Sequence, residues 1–340
     1  MRPLPVAITV LAAAGGVGIV RRRRQLAGVA PELRSPTTWA SMSLRGPRSL
    51  QASRRLISLA SVAQVLAPGV TPRDERIPAS GDRPELRVVV YEHQSRKHPS
   101  GALVWIHGGG LVMGTPGQGD GLCSRIAAEL GVLVVSVDYR LAPEDPFPAG
   151  LDDCFAALEW VHERADELGV DRERVAIGGD SAGGGLAATL AQRAHDHGMV
   201  PVCFQLLQYP MLDDRTALRS GPDALVWTRR SNRWAWGAYL GHPASVNESR
   251  PYASAARRVD LSGLPPAWIG VGNIDLFHDE GVDYASRLAA AGVPCDLYVE
   301  PGMYHAAEQL MPGAPSMAQF VERLVAALNA AIGAQASTNG

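Results

Sequence analysis

Gly179-Asp180-Ser181-Ala182-Gly183 sets a serine between two glycines, each two residues away. A serine hydroxyl becomes a nucleophile only when a base takes its proton and an acid holds that base in one tautomer. It also has to stand clear of its neighbours on a tight strand-to-helix turn, and glycines two before and two after keep side chains out of such a turn. The apolar triplet Val175-Ala176-Ile177 and the Ala- and Leu-rich stretch beyond Ala182 supply the two halves of that turn. Ser181 is therefore the candidate nucleophile, with the N-terminus of the following helix adding partial positive charge where an oxyanion develops.

His107-Gly108-Gly109-Gly110 closes the apolar run Ala102–Ile106. Three glycines after a buried strand present backbone N–H groups unobstructed, as the tetrahedral intermediate of acyl transfer requires. The stretch lacks the G-K-[ST] ending and the G-x-G-x-x-G spacing of a phosphate-binding loop. In this architecture nucleophile, acid and histidine follow in that chain order, which leaves His195, His197, His242, His278 and His305. His195 and His197 end the helix that Ser181 opens, about four turns away. His242 lies in an irregular insertion and His278 on the segment after a strand. His305 follows the run Cys295–Glu300 through the turn Pro301-Gly302-Met303-Tyr304 and is the candidate base. Asp275, in a loop just past the run Ala267–Val271, is the candidate acid. Asp279, Glu280 and Asp283 lie further on, where Leu276, Glu280, Tyr284 and Leu288 keep helical spacing, and Asp279 and Asp283 read as solvated carboxylates.

These groups need a frame that brings loops together at one edge. Ala102–Ile106, Val132–Val137, Val175–Ile177 and Ala267–Val271 are apolar, Ser136 apart, instead of alternating, as strands buried on both faces are. Leu86–Tyr91, Cys203–Gln208 and Cys295–Glu300 read as further strands. Amphipathic segments at Gly121–Leu130, Leu151–Leu168 and Ala182–Ala194 alternate with the strands, and Ser316–Ile332 reads as a closing helix. That order predicts a mostly parallel sheet with helices on both faces. Met211–Arg257 interrupts it with Trp227, Trp234, Trp236, Tyr239 and Tyr252, an inserted subdomain whose rings either fill a small core or face substrate. Within Asp138–Glu144, Arg140 between two acids reads as an ion pair that holds the loop, outside the site.

The 340 residues allow one large α/β domain or two smaller ones. With 32 basic against 34 acidic side chains there is no global field to attract nucleic acid, and a small neutral substrate suits the balance. Cys123, Cys154, Cys203 and Cys295 lack metal-ligand spacing and read as buried free thiols, so no metal or cofactor is expected. Leu4 to Val20 carry no charge and run into Arg21-Arg22-Arg23-Arg24. This is at the lower edge of a membrane span, open to reading as an anchor with the arginines cytoplasmic, a signal, a mis-assigned start or a packed helix. Residues 25–74 hold apolar positions at helical spacing around Leu50, Arg54 and Ile57.

His107-Gly108-Gly109-Gly110, Asp138-Tyr139-Arg140-Leu141-Ala142-Pro143-Glu144, the Ser181 pentapeptide with Gly184, Asp275 with Asp279-Glu280, and His305 together resemble the hormone-sensitive-lipase family of bacterial esterases, over roughly residues 75–335. The resemblance implies an α/β-hydrolase fold: a mostly parallel central sheet flanked by helices, with a helical cap built from residues 25–74 and an insertion at about 211–257 in a catalytic domain of residues 75–340. It also implies hydrolysis of short- to medium-chain carboxylic esters, with an oxyanion hole from the amides of Gly109, Gly110 and Ala182. Leu111, Leu276 and Ala306-Ala307 depart from residues common in that family and bear on the shape of the acyl pocket. A ligand-binding protein on the same fold, and an amide hydrolase or deacetylase with the same triad, are the alternatives. His305 argues against the first, because receptors of that kind typically have lost the histidine. The expected partner is a small-molecule ester, with a homodimer and membrane association through residues 4–24 left open. The expected location is cytoplasmic.

Overall fold

The computed structural model describes residues 26–35, 43–44, 46–61, 65–221, 223–245 and 247–333. The Leu4–Val20 run and its arginine cluster lie outside the described residues. No helix among the described residues is long and apolar enough to cross a membrane.

Eight strands form one sheet: β1 Arg73–Ile77, β2 Leu86–Tyr91, β3 Ser100–Ile106, β4 Leu133–Val137, β5 Val170–Asp180, β6 Phe204–Gln208, β7 Ala267–Gly272 and β8 Cys295–Glu300. Their spatial order is β1-β2-β4-β3-β5-β6-β7-β8. β1 and β2 run antiparallel to their neighbours and the remaining strands are parallel. Side chains of β3 alternate between two buried layers, Ala102, Val104 and Ile106 on one face and Leu103 and Trp105 on the other. This double burial explains the unbroken apolar runs.

The helices are α1 Pro47–Ser61, α2 Asp120–Leu130, α3 Ala149–Glu163, α4 Ala165–Leu168, α5 Ala182–His197, α6 Arg229–Leu240, α7 His278–Ala290, α8 Ala307–Leu310 and α9 Pro315–Ile332. α9 buries Met317, Phe320, Leu324, Leu328 and Ile332, a stripe at helical spacing, in the same layer as Trp105 and Trp268. The single helix expected over Leu151–Leu168 is two, divided at Arg164.

β1 has no apolar run to announce it. Arg-Asp-Glu-Arg-Ile is charged because an edge strand faces water along one side, and charge there also discourages pairing with other chains. β5 starts at Val170, before the apolar Val175–Ile177, because its exposed first half is Asp171-Arg172-Glu173-Arg174.

The segments ahead of the sheet reach different places. Val29 and Leu33 are buried in one layer with Met303 and Tyr304, and Ala30 N–H donates to Gly302 O at 3.1 Å. The Leu44 N–H donates to Ser231 Oγ on α6 at 2.9 Å. Arg54 of α1 donates to Val112 O and Ala142 O and pairs with Glu144 at 2.8 Å.

Candidate active site

The parallel register sets the site. Ile106 at the end of β3 faces Gly179 near the end of β5, Asp180 faces Gln208 of β6, and Gly272 of β7 faces Glu300 of β8. The loops that leave these carboxyl ends carry His107–Gly110, Ser181, Asp275 and His305 to one edge.

Ser181 has φ 55° and ψ −117°, a strained backbone for a residue with a side chain. Its N–H donates to Gln208 O at 2.8 Å, and its carbonyl accepts the Met211 N–H at 2.9 Å and the Gly185 N–H at 3.1 Å. The glycines are sterically required: a Cβ on Gly183 would collide with the Ile106 carbonyl, and one on Gly179 would meet the same carbonyl and the Gly183 backbone. Glycines cost helix stability, and here they let the first turn of α5 press against the end of β3.

Ser181 Oγ and His305 Nε2 are 2.9 Å apart. His305 Nδ1 and Asp275 Oδ2 are also 2.9 Å apart, and Asp275 Oδ1 accepts the Phe277 N–H at 2.9 Å. With Nδ1–H donated to the carboxylate, Nε2 is left to accept the serine proton. All three side chains are buried. Tyr209 and Phe277 meet the His305 ring edge-on, at centroid distances of 4.8 and 5.1 Å. Burial by itself would lower the His305 pKa, but the charge and hydrogen bond of Asp275 outweigh it, and the pKa stands above the ordinary value of 6.5.

Gly109 and Gly110 have φ 124° and 64°. Gly108 N–H donates to Asp180 Oδ1 at 2.9 Å, which ties the glycine loop to the residue preceding Ser181. The loop is also braced by Tyr139, whose hydroxyl donates to His107 O at 2.9 Å and whose ring stacks on His107 at 4.4 Å. Trp227 of the insertion lies against Gly110, where a Cβ would strike its ring. Ala182 is the first residue of α5, so its N–H has no partner within the helix.

The structure thus brings Ser181, Asp275, His305, Gly109, Gly110 and Ala182 to one place, and leaves the other late histidines elsewhere. His278 pairs with Asp279, His242 with Glu248, and the His195 ring abuts Gly263. Arg140 does hold its loop, though through neither sequence neighbour: Asp153 takes it in a bidentate pair, with Arg140 Nε 2.9 Å from Asp153 Oδ2. Asp138 pairs with Arg87 instead, and Glu144 with Arg54. Cys123 and Cys154 are buried free thiols, whereas Cys203 and Cys295 are only half-buried.

Sequence reasoning missed Asp180, Tyr209, Glu308 and Gln309. Burial raises the pKa of Asp180 to about 6 and that of Glu308 to about 7. Tyr209 donates its hydroxyl hydrogen to Glu308 Oε1, Gln208 Nε2 donates to the same oxygen at 2.7 Å, and Gln309 Nε2 donates to both Tyr209 Oη and Asp180 Oδ2. The one available signal was an acid placed directly before the candidate nucleophile. Among the described residues, six non-glycine residues have positive φ, and Leu111, Ser181, Tyr209 and Ala306 among them border this site.

A cavity lined by Leu111, Ala182, Met211, Trp236 and Tyr239 reaches Ala182, the residue after Ser181, and runs along the α5 face of Gly185, Leu186 and Thr189. It has ≈ 10 Å³ for the centre of a water-sized molecule, about room for one. Neither this cavity nor the clefts of ≈ 1020 Å³ between Asp196 and Arg287 and of ≈ 800 Å³ beside Lys97 is lined by a triad residue; the small cavity alone reaches a neighbour of Ser181, at Ala182.

Residues 103–309 match the family profile described as alpha/beta hydrolase fold. The chain is 42% identical over 234 residues to carboxylesterase NlhH of Mycobacterium tuberculosis, covering 68% of this chain and 73% of that protein. It is 38% identical over 252 residues to esterase LipI of the same organism, covering 67% and 77%. Among solved structures, the bacterial heroin esterase superposes with a TM-score of 0.85 at 35% identity, covering 91% of this chain and 99% of that one. Esterase LipW from Mycobacterium marinum gives 0.81 at 32%, covering 90% and 96%.

Proposed function

Since the chain belongs to the hormone-sensitive-lipase family of α/β-hydrolases and is a carboxylic ester hydrolase, we propose that it works through an acyl-enzyme on Ser181, with His305 as base and Asp275 as its orienting acid. The observation that carries this reading is the line of two 2.9 Å contacts from Ser181 Oγ through the His305 ring to Asp275. As Ser181 Oγ attacks the ester carbonyl, His305 Nε2 takes its proton, and Asp275 stabilises the imidazolium that results. The imidazolium then returns the proton to the departing alkoxide. Water, deprotonated by the same nitrogen, attacks the acyl-serine, and the imidazolium returns that proton to Ser181 Oγ as the acid is released. The amides of Gly109, Gly110 and Ala182 hold the oxyanion in both steps.

The cavity beside Ala182 and Met211 serves as the acyl site in this reading. Its size favours short acyl groups, acetyl above all, with Leu111, Trp236 and Tyr239 closing it. The test pairs two measurements on Ser181→Ala and wild type. A fluorophosphonate probe should modify Ser181 in wild type and leave the folded mutant unlabelled, while turnover falls on the order of a millionfold. Across p-nitrophenyl esters, kcat/KM should fall steeply beyond the shortest chains, and Trp236→Ala should extend the range. Label on another serine would overturn the nucleophile, and a profile peaking at octanoate would overturn the acyl site.

A further inference from the structure

We propose that Glu308 is a positioning residue for this reaction, acting through Tyr209 to hold the His305 ring and setting a second carboxyl behind it. The inference rests on the triad reading above.

The protons around Tyr209 are accounted for by geometry. Its hydroxyl oxygen lies 3.0 Å from Gln309 Nε2 and 3.2 Å from Gln208 Nε2, and an amide nitrogen can only donate. The hydroxyl's own hydrogen is therefore free to go to Glu308 Oε1, which also accepts from Gln208. Glu308 Oε1 is thus an acceptor, fixed by two donors, while Glu308 Oε2 is buried and has no hydrogen-bond partner. A buried carboxyl left half-satisfied is costly, and stability alone does not call for one here.

Tyr209 is fully buried with φ 34°, and its N–H is held by Gly270 O at 2.6 Å. Its ring edge meets His305 on one side while Phe277 meets it on another. Glu308 stands three residues after His305 and follows Ala306, whose φ is 57°, so the turn carrying the base and the helix carrying the carboxyl are one short unit. Gln309 extends the network to Asp180, and Asp180 to the Gly108 amide.

The ionisable groups that bear on His305 are Asp275 from the loop after β7, Asp180 at the end of β5, Glu308 on α8 and Tyr209 after β6. The first three favour imidazolium when ionised. Asp275 pairs with the ring directly. Glu308 adds its charge from behind, across Tyr209, and its pKa of about 7 makes that charge available where the base works.

The experiment is a pH profile of kcat/KM on p-nitrophenyl acetate for the full chain, with Glu308→Gln and Tyr209→Phe. Glutamine keeps the acceptor oxygen and the volume but loses the charge. Phenylalanine keeps the ring but removes a donor that stabilises the ionised carboxylate. Both should move the acid limb to lower pH by about half a unit, a roughly threefold change in ionisation constant, with KM held and kcat lowered severalfold. Folded variants of both kinds with the wild-type midpoint and kcat would overturn the proposal. His305→Ala, measured in parallel, separates the two readings: it should abolish turnover and Ser181 labelling. If it leaves both intact, the triad reading falls and this proposal falls with it.

Discussion

His305 shows how neighbours decide the chemistry of one residue. Burial works against its charged form and Asp275 works for it, and with His305 as the proposed base the net upward shift would set where activity switches on. The acid limb of wild-type kcat/KM should have its midpoint above 6.5, because the imidazole stays protonated, and unable to accept the serine proton, to a higher pH than a free histidine. A limb centred below 6 would contradict this account of the base. Asp275→Asn should lower kcat by about 10⁴, since the amide would present an N–H where His305 Nδ1–H needs an acceptor and so favour the wrong tautomer. Stopped-flow or steady-state kinetics on one ester is sufficient to see it. That Ser181, Asp275 and His305 meet was legible in the sequence, because chain order and the edges of apolar runs leave few places for each. Tyr209 and Glu308 were not, because the turn after β6 and the short helix after His305 come together only in the folded sheet, and nothing in local spacing links positions 209 and 308.

Elements were legible where burial is complete and obscure where one side meets water. β3, β4 and β7 appear as apolar runs, while β1 and the first half of β5 are written in charged residues and escaped that criterion. The insertion was recognisable by its aromatics, yet its role depends on where they land: Trp227 on the glycine loop, Trp236 and Tyr239 on the cavity that reaches Ala182. The strand-to-helix turn makes a prediction of its own. Gly183→Ala drives a methyl into the Ile106 and His107 carbonyls, so it should cost at least about 1–3 kcal/mol and also lower kcat, since Ser181 must shift with the turn. Gly131→Ala, at the C-terminus of α2 with open space around it and φ 61°, should cost about 1–2 kcal/mol of backbone strain while kcat holds. Urea unfolding alongside kcat distinguishes them, and equal kcat in both variants would show that the turn does not hold the nucleophile.

At the scale of the whole molecule, buried carboxyls set how stability follows pH. Asp180 at about 6, Glu308 at about 7 and Glu280, pushed well up by burial, all keep protons in the folded state that the unfolded chain gives up near 4. Folding becomes less favourable as pH climbs from about 4 through about 7, because the unfolded state ionises first. His305 acts in the same direction: its folded pKa is raised, so its contribution is complete below about 6.5 and is lost as pH rises through the higher folded value. Paired carboxylates such as Glu144 and Asp196 have lowered values, so their contribution is present above about 4.5 and is lost in acid. The melting temperature should therefore be highest in mild acid and lower by several degrees at pH 8, and Glu308→Gln should flatten the alkaline side. Calorimetry from pH 4 to 9 checks this, and a melting temperature that climbs from pH 5 to pH 8 would rule it out.

The Ala30–Gly302 hydrogen bond, with Val29 and Leu33 buried against Tyr304, ties the early chain to the loop that ends in His305. Mechanical load entering from residues before 26 would be delivered there before it reached any strand of the sheet, making His305 the first of the three proposed catalytic groups to move. A surface tether or fusion attached on that side would act as a handle on His305, and under the proposed mechanism a taut one would throttle turnover without unfolding the sheet. Load applied past Gly333 would arrive instead at α9, whose packing lies in the layer of Trp268 and Phe320.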